Sequence, residues 1–224
     1  MKKICVIGTG RAGTTFFSKS CRLMGYDVGH EAVGENGIVS WCLVSKSPEV
    51  PWGPSWSELN ETEFVKGQQI REPIASISSL TTFKRVSWDF ISNTSIGHLK
   101  TNESTLYNAM KHWLSWNQEA TRVAEFTWCL DDIRSGPMEL FRAANWPVTE
   151  LQWIDAVETA GTEVNSSETR LMDLKASLLN PRLAIRRRRH HKQKLSWDAL
   201  YKKDKALAEE IFLFWQACKK SDDR

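Results

Sequence analysis

The stretch ICVIGTGRAGTTFF, residues 4–17, sets three glycines, one cation and three threonine hydroxyls directly after a short apolar run. That combination suits anion binding. An apolar strand (Ile4, Val6, Ile7) passing through glycines into a helix start points free backbone N–H groups and the positive helix end at one place. Three ligand classes fit the spacing. Gly8-Thr9-Gly10-Arg11-Ala12-Gly13 is a complete G-x-G-x-x-G dinucleotide fingerprint. Gly8 and Gly13 also frame a phosphate loop in which Thr14 occupies the usual lysine position. Arg11-Ala12-Gly13-Thr14-Thr15 reads equally as a cradle for a phosphosulfate group. A glycine turn made only for packing is the bland alternative; the coincidence of strand, glycines and helix start argues against it.

Further candidates lie downstream. His30 and Glu31 close the segment YDVGHE, and Arg71 stands at the end of the strand candidate GQQIREP. Neighbours on a strand point to opposite sides, so one of His30 and Glu31 is expected to face a site. Arg71 offers a forked donor for an anion; a surface ion pair with Glu63 or Glu72 is its ordinary alternative. Glu31 follows Gly13 by eighteen residues, close to where dinucleotide folds place a ribose-binding acid. Against that reading, Thr14 and Thr15 stand where small apolar residues usually pack, and no second mononucleotide-binding half is evident. The nucleoside-triphosphatase reading lacks both its lysine and a strand ending in a metal-binding Asp.

GTGRAGTTFFSKSCRLMGYDVGHE together with QQIREPIASISSL resembles the sulfotransferases that use 3′-phosphoadenosine 5′-phosphosulfate, over about residues 4–82. That family carries a Lys/Arg-Ser-Gly-Thr-Thr loop after its first strand, then an Arg at a strand end with a Ser eight residues on. Ala12 departs from the pattern, removing one hydroxyl. The resemblance implies a three-layer αβα P-loop fold with a central, mostly parallel sheet, and 3′-phosphoadenosine 5′-phosphosulfate as co-substrate without a metal. It implies that Gly10, Arg11, Ala12, Gly13, Thr14 and Thr15 hold the phosphosulfate end, with Arg11 reaching the bridging oxygen. Arg71 and Ser79 would take the 3′-phosphate, with Ser76 and Ser78 as substitutes for Ser79. Glu31 would be the base for the acceptor hydroxyl, with His30 the other candidate. The acceptor is expected to be a sugar, glycan or small metabolite, in a pocket formed near residues 45–60 and 85–120. Trp52 and Trp56 suit sugar stacking there, and loop packing explains them equally. Two readings from other classes stay open: a Rossmann-type NAD(P) oxidoreductase, and a non-catalytic nucleotide- or nucleic-acid-binding protein.

Composition narrows the setting. The 224 residues are 41% hydrophobic and 25% charged, which is ordinary for one globular domain, here expected over residues 1–224. Eleven tryptophans are many, and most should pack in the core. Five scattered cysteines, odd in number and without C-x-x-C spacing, argue for a reducing compartment rather than a disulfide framework or zinc site. No apolar run reaches membrane-spanning length, so a cytoplasmic protein is expected. The net charge of +3 is local: RRRRHHKQK, residues 186–194, holds six of the 30 cations, and the rest balances 24 against 27. This segment, 182–195 at its widest, has the charge and position of the basic segment that closes over the 3′-phosphate in cytosolic relatives. Arg188 within it is a donor-binding candidate, an acidic acceptor is the other ligand for it, and nucleic acid is not the expected partner. His98, His112 and Asp131-Asp132 lack metal-like spacing and read as structural or surface groups.

The positioning elements follow from pattern. Residues 2–8 predict a buried strand and 14–25 a helix ending at Gly25. YDVGHE predicts a second strand, and NGIVSWCLVSK, 36–46, a helix. GQQIREP predicts a strand stopping at Pro73, feeding a helix over 74–83. Leu106, Ala109, Met110, Trp113 and Leu114 form a helical apolar stripe. RVAEFTWCL, 122–130, predicts another strand. Ser196 caps a last helix over 197–218 with Leu200, Leu207, Ile211, Phe214, Trp215 and Cys218 on its face. Alternating strands and helices imply a parallel sheet covered on both sides, with ligands beyond the carboxyl ends of its strands.

Overall fold

The structure, a computed structural model, describes residues 1–97, 99, 102–164 and 195–221. The basic run 186–194, with Arg188, and His98 lie outside the described residues. Five strands, β1 (Lys3–Ile7), β2 (Val28–His30), β3 (Gly37–Val39), β4 (Phe64–Ile70) and β5 (Phe126–Cys129), form one sheet in the order β2-β3-β1-β4-β5. Every pairing is parallel. The helices are α1 (Thr14–Leu23), α2 (Pro73–Leu80), α3 (Arg85–Ser92), α4 (Thr105–Val123), α5 (Met138–Ala143), α6 (Glu150–Val164), α7 (Trp197–Lys203) and α8 (Lys205–Ser221). The result is a three-layer α/β fold.

Alternation along the strands divides the core. Ile4, Val6, Val65 and Trp128 point to the face covered by Phe17 of α1, Phe141 of α5 and Trp153 of α6. Cys5, Ile7, Ile70 and Cys129 point to the other face, against α2, α3, α4 and α8. Both faces are buried, so the strands read as continuous apolar runs rather than alternating ones. Tryptophan supplies much of the filling: Trp113, Trp116, Trp128 and Trp153 are fully buried. All five cysteines are buried, and no disulfide joins them.

Two predicted elements differ. NGIVSWCLVSK is not a helix: Gly37–Val39 is a central strand, and Cys42–Ser45 is one 3₁₀ turn. Ile38 and Val39 are β-branched, and the strand slots between β1 and β2, where a helix could not pair. A Cβ on Gly37 would lie 2.1 Å from the Ile4 carbonyl oxygen, so the sheet closes over a missing side chain. The C-terminal helix is broken at Asp204, whose backbone is extended and whose Oδ1 accepts from Leu207 N at 3.0 Å. The predicted apolar face survives the break, with Leu200, Leu207, Ile211, Trp215 and Cys218 buried. A smaller shift places Arg122 and Val123 in α4, so that β5 begins only at Phe126.

Gln69 of β4 anchors the glycine turn. Its fully buried amide donates from Nε2 to the Ala12 carbonyl at 2.7 Å and accepts from Trp128 Nε1 at 3.3 Å. Gln69→Leu would strand a buried carbonyl and a buried indole N–H. Equilibrium urea unfolding should register a loss of about 2–4 kcal/mol; a loss below about 1 kcal/mol would show that the turn stands without this clamp.

Candidate functional site

The carboxyl ends of β1, β2 and β4 open onto one cleft of about 770 Å³. The glycine turn forms its floor. Gly13 ends the turn at φ +94°, in the left-handed region, and is the N-cap of α1. It brings no side-chain cap, and the first turn of α1 holds no acid. Among the described residues, no side chain caps its first N–H groups, which lack intrahelical acceptors. In contrast, α2, α4 and α7 are capped by Glu72, Ser104 and Ser196.

Gly10, Arg11, Gly13, Thr14 and Thr15 line the cleft. Ala12 does not: it is fully buried, its N–H donates to the Thr9 carbonyl at 3.1 Å, and its carbonyl is held by Gln69. The expected contact from Ala12 to a ligand is corrected accordingly, because the turn uses that amide to hold itself. Arg11, also left-handed at φ +71°, lays its guanidinium over the Phe83 ring at 5.4 Å. Phe83 fits there because Gly10 is bare; a Cβ on Gly10 would fall 2.4 Å from Phe83 Cζ.

Arg71 and Ser79 line the same cleft, sixty residues downstream of the turn. Arg71 Nη1 donates to the Arg11 carbonyl at 3.1 Å. Glu72 does not pair with it, because both its carboxylate oxygens accept N–H groups at the start of α2, from Ile74 and Ala75. Glu63 is paired with Lys3. Ser79 is 6% exposed and borders the cavity, whereas the fully buried Ser76 does not.

His30 and Glu31 both face the cleft, which corrects the expectation that only one would. Strand β2 ends at His30, and Glu31 turns left-handed at φ +53°, so strand alternation stops between them. His30 Nε2 lies 3.9 Å from Glu31 Oε1 and 3.1 Å from both the Thr14 and Thr15 hydroxyls. Burial, helped by Arg22, lowers the His30 pKa, which favours the neutral ring. A tautomer carrying its proton on Nε2 donates to the threonine oxygens and leaves their hydroxyl protons free for an anion.

Glu31 is the most perturbed carboxyl of the cleft. Burial pushes its pKa up to about 7, against opposing hydrogen bonds from the Ser40 hydroxyl and the Trp41 N–H. Among the described residues its buried Oε1 has no hydrogen-bond partner. A carboxyl with one held oxygen, one free oxygen and a pKa near neutrality has the properties of a general base. Ser40 steadies it, donating to Glu31 Oε2 while accepting from Cys42 N at 3.2 Å. Ser40→Ala removes a bond that favours the ionised carboxyl. The Glu31 pKa should therefore rise further, and carboxyl titration followed by NMR should move alkaline by about half a unit or more; an unmoved titration would exclude Ser40 from that role.

Aromatic residues form the remaining wall. Trp41 lies 5.9 Å from Trp52 and 5.5 Å from Phe83 between ring centroids, and all three border the cleft. Trp56 is not part of it; its indole N–H donates to the Leu43 carbonyl at 2.6 Å and Lys66 lies over its ring, so it packs the loop. His112 is fully buried behind the wall, 4.6 Å from Trp116, and its pKa falls to about 3. Asp131 and Asp132 are exposed. Sequence reasoning missed Ser40, Gln69, Phe83, Lys84 and Ser87. Only the Gln-Gln pair in β4 carries a local signal, being two polar residues in a strand that is otherwise buried.

Comparison with family models, with curated proteins and with solved structures found no match to this chain. No described helix is long and apolar enough to cross a membrane.

Proposed function

We propose that the cleft binds 3′-phosphoadenosine 5′-phosphosulfate and transfers its sulfuryl group to an acceptor hydroxyl. The observation that carries this reading is the convergence of two distant cationic clusters on one cavity beside a near-neutral carboxyl. Arg11, Thr14, Thr15 and the N-terminus of α1 suit the phosphosulfate end, and Arg71 with Ser79 suits the 3′-phosphate. The hydrogen bond from Arg71 to the Arg11 carbonyl keeps the two clusters within reach of one nucleotide.

The chemistry balances without a covalent enzyme intermediate. Glu31, ionised, takes the proton of the acceptor hydroxyl. The acceptor oxygen forms a bond to sulfur in line with the bond that breaks, between sulfur and the 5′-phosphate oxygen. The electron pair leaves with adenosine 3′,5′-bisphosphate. Charge developing on that phosphate meets Arg11 and the open N–H groups of α1, so positioning and electrostatics supply the rate. His30 orients the threonine hydroxyls.

The dinucleotide reading fits the sheet less well. Strand β3 lies between β1 and β2, whereas the classic dinucleotide order 3-2-1-4-5-6 sets them side by side. Glu31 therefore lies two strands from the turn instead of one. Thermal unfolding of the full chain with adenosine 3′,5′-bisphosphate, NADPH, ATP or a nucleic acid tests the proposal. Stabilisation by the bisphosphate is expected, growing with its concentration as about 2.7 kcal/mol at a hundredfold excess over Kd. Selective stabilisation by NADPH, or by nucleic acid alone, would overturn it.

A further inference from the structure

We infer that the acceptor is an anionic hydroxyl compound with a flat apolar face, whose negative group is received by the first turn of α3. The inference rests on the proposed transfer reaction, because it sorts the cleft into a donor half and an acceptor half.

The sorting follows the elements. The donor half comes from the β1–α1 turn and from Arg71 and Ser79 at β4–α2. The rest of the lining includes Glu31, the aromatic pair Trp41 and Trp52, and the start of α3 with Lys84, Val86 and Ser87. Phe83 lies between the halves, under Arg11 and against Trp41. Trp41 donates its N–H to the Glu31 carboxylate, and a Cβ on Gly53 would meet the Glu31 carbonyl oxygen at 2.6 Å. The Trp52–Gly53 loop therefore packs on the backbone of Glu31. A hydroxyl presented to Glu31 places the body of its molecule against these indoles. Apolar ring faces are what indoles recognise.

The start of α3 adds a charge requirement. Lys84 is its N-cap, makes no side-chain cap, and is followed by no acid in the first turn. Arg85 is already matched by Asp89, whereas Lys84 has no acidic partner among the described residues. The independent observation is Ser87. It is 7% exposed, borders the cavity, and no described residue hydrogen-bonds its hydroxyl. That hydroxyl borders the cavity with no protein partner among the described residues, and here it stands with an ammonium and the open N–H groups of a helix start. All three are donors. A carboxylate on the acceptor satisfies them together.

Two sources share this chemistry, an aryl hydroxy acid and a sugar acid. Calorimetric titration of the full chain distinguishes them with two pairs of probes: para-hydroxyphenylacetate against para-ethylphenol, and methyl glucuronide against methyl glucoside. In at least one pair the carboxylate should bind about tenfold or more tightly than its neutral counterpart, and that pair identifies the ring. Lys84→Gln should erase the preference and Ser87→Ala should reduce it several-fold, with the affinity for adenosine 3′,5′-bisphosphate unchanged in both. Equal affinities within both pairs, or a preference intact in both variants, would overturn the inference. So would a Lys84→Gln chain that loses the bisphosphate as well, since Lys84 would then belong to the donor half. Failure of the bisphosphate to bind, with the carboxylate preference still present, would defeat the transfer reaction and leave the anion subsite standing.

Discussion

Glu31→Gln should lower sulfuryl transfer by about 10²–10⁴-fold, the usual contribution of a positioned base, while leaving adenosine 3′,5′-bisphosphate binding intact. The same change should make the protein more stable above neutral pH. Burial raises the Glu31 pKa from 4.5 to about 7, so between those values the folded chain holds a proton that the unfolded chain has released. The stabilisation from that held proton is complete below about pH 4.5 and is lost as the pH rises through 7. The ionised carboxylate then carries a penalty that glutamine does not, up to roughly 3 kcal/mol by the size of the shift. The stability gap between variant and parent should therefore widen from about pH 5 to pH 8. Denaturant unfolding at the two pH values, beside a transfer assay, checks both halves. Retained turnover would move the base role to His30, and a pH-independent gap would mean that Glu31 titrates normally.

Arg71→Ala should weaken binding of adenosine 3′,5′-bisphosphate by about 100-fold, the scale expected when one partner of a close charge pair is truncated. Folding should be little affected, because among the described residues Arg71 makes one exposed side-chain hydrogen bond, to the Arg11 carbonyl. Arg71→Lys should recover little of the loss. A lysine offers a single ammonium and cannot both hold that carbonyl and present a fork to a phosphate. Calorimetric titration of the three proteins decides the matter. Unchanged affinity in Arg71→Ala would remove the β4–α2 junction from the nucleotide site and dissolve the two-cluster argument.

Both predictions depend on features with different visibility in the chain. The strand, glycine turn and helix at residues 3–23 were legible because each is a short-range pattern: an apolar run, a left-handed glycine, a helix without a proline. The same holds for β4 and α2, where Pro73 marks the first helical position and Glu72 its cap. The apolar stripe of α4 was legible from its period alone. These patterns also brought Arg11, Thr14, Thr15 and Arg71 forward as candidates, since strand ends and helix starts are the places where an α/β sheet receives anions; Ser79, near the end of α2, came forward only through the family resemblance.

Other features were settled by contacts between distant segments. Residues 36–46 look helical in isolation, and only the gap between β1 and β2 makes Gly37–Val39 a strand. The joint placement of His30 and Glu31 depends on one left-handed residue at a strand end, which no local pattern announces. The near-neutral Glu31 carboxyl arises from its burial in the packed chain; desolvation has no signature in a list of residue types. The same is true of Lys84 and Ser87, which enter the cleft because Phe83 packs into the space left by Gly10. Sequence determined which residues stand at the ends of strands and helices, because hydrophobic period and glycine or proline chemistry act over a few residues. Tertiary structure decided which of those ends share one cavity and how their charges behave there, because proximity and exclusion of water are properties of the packed chain.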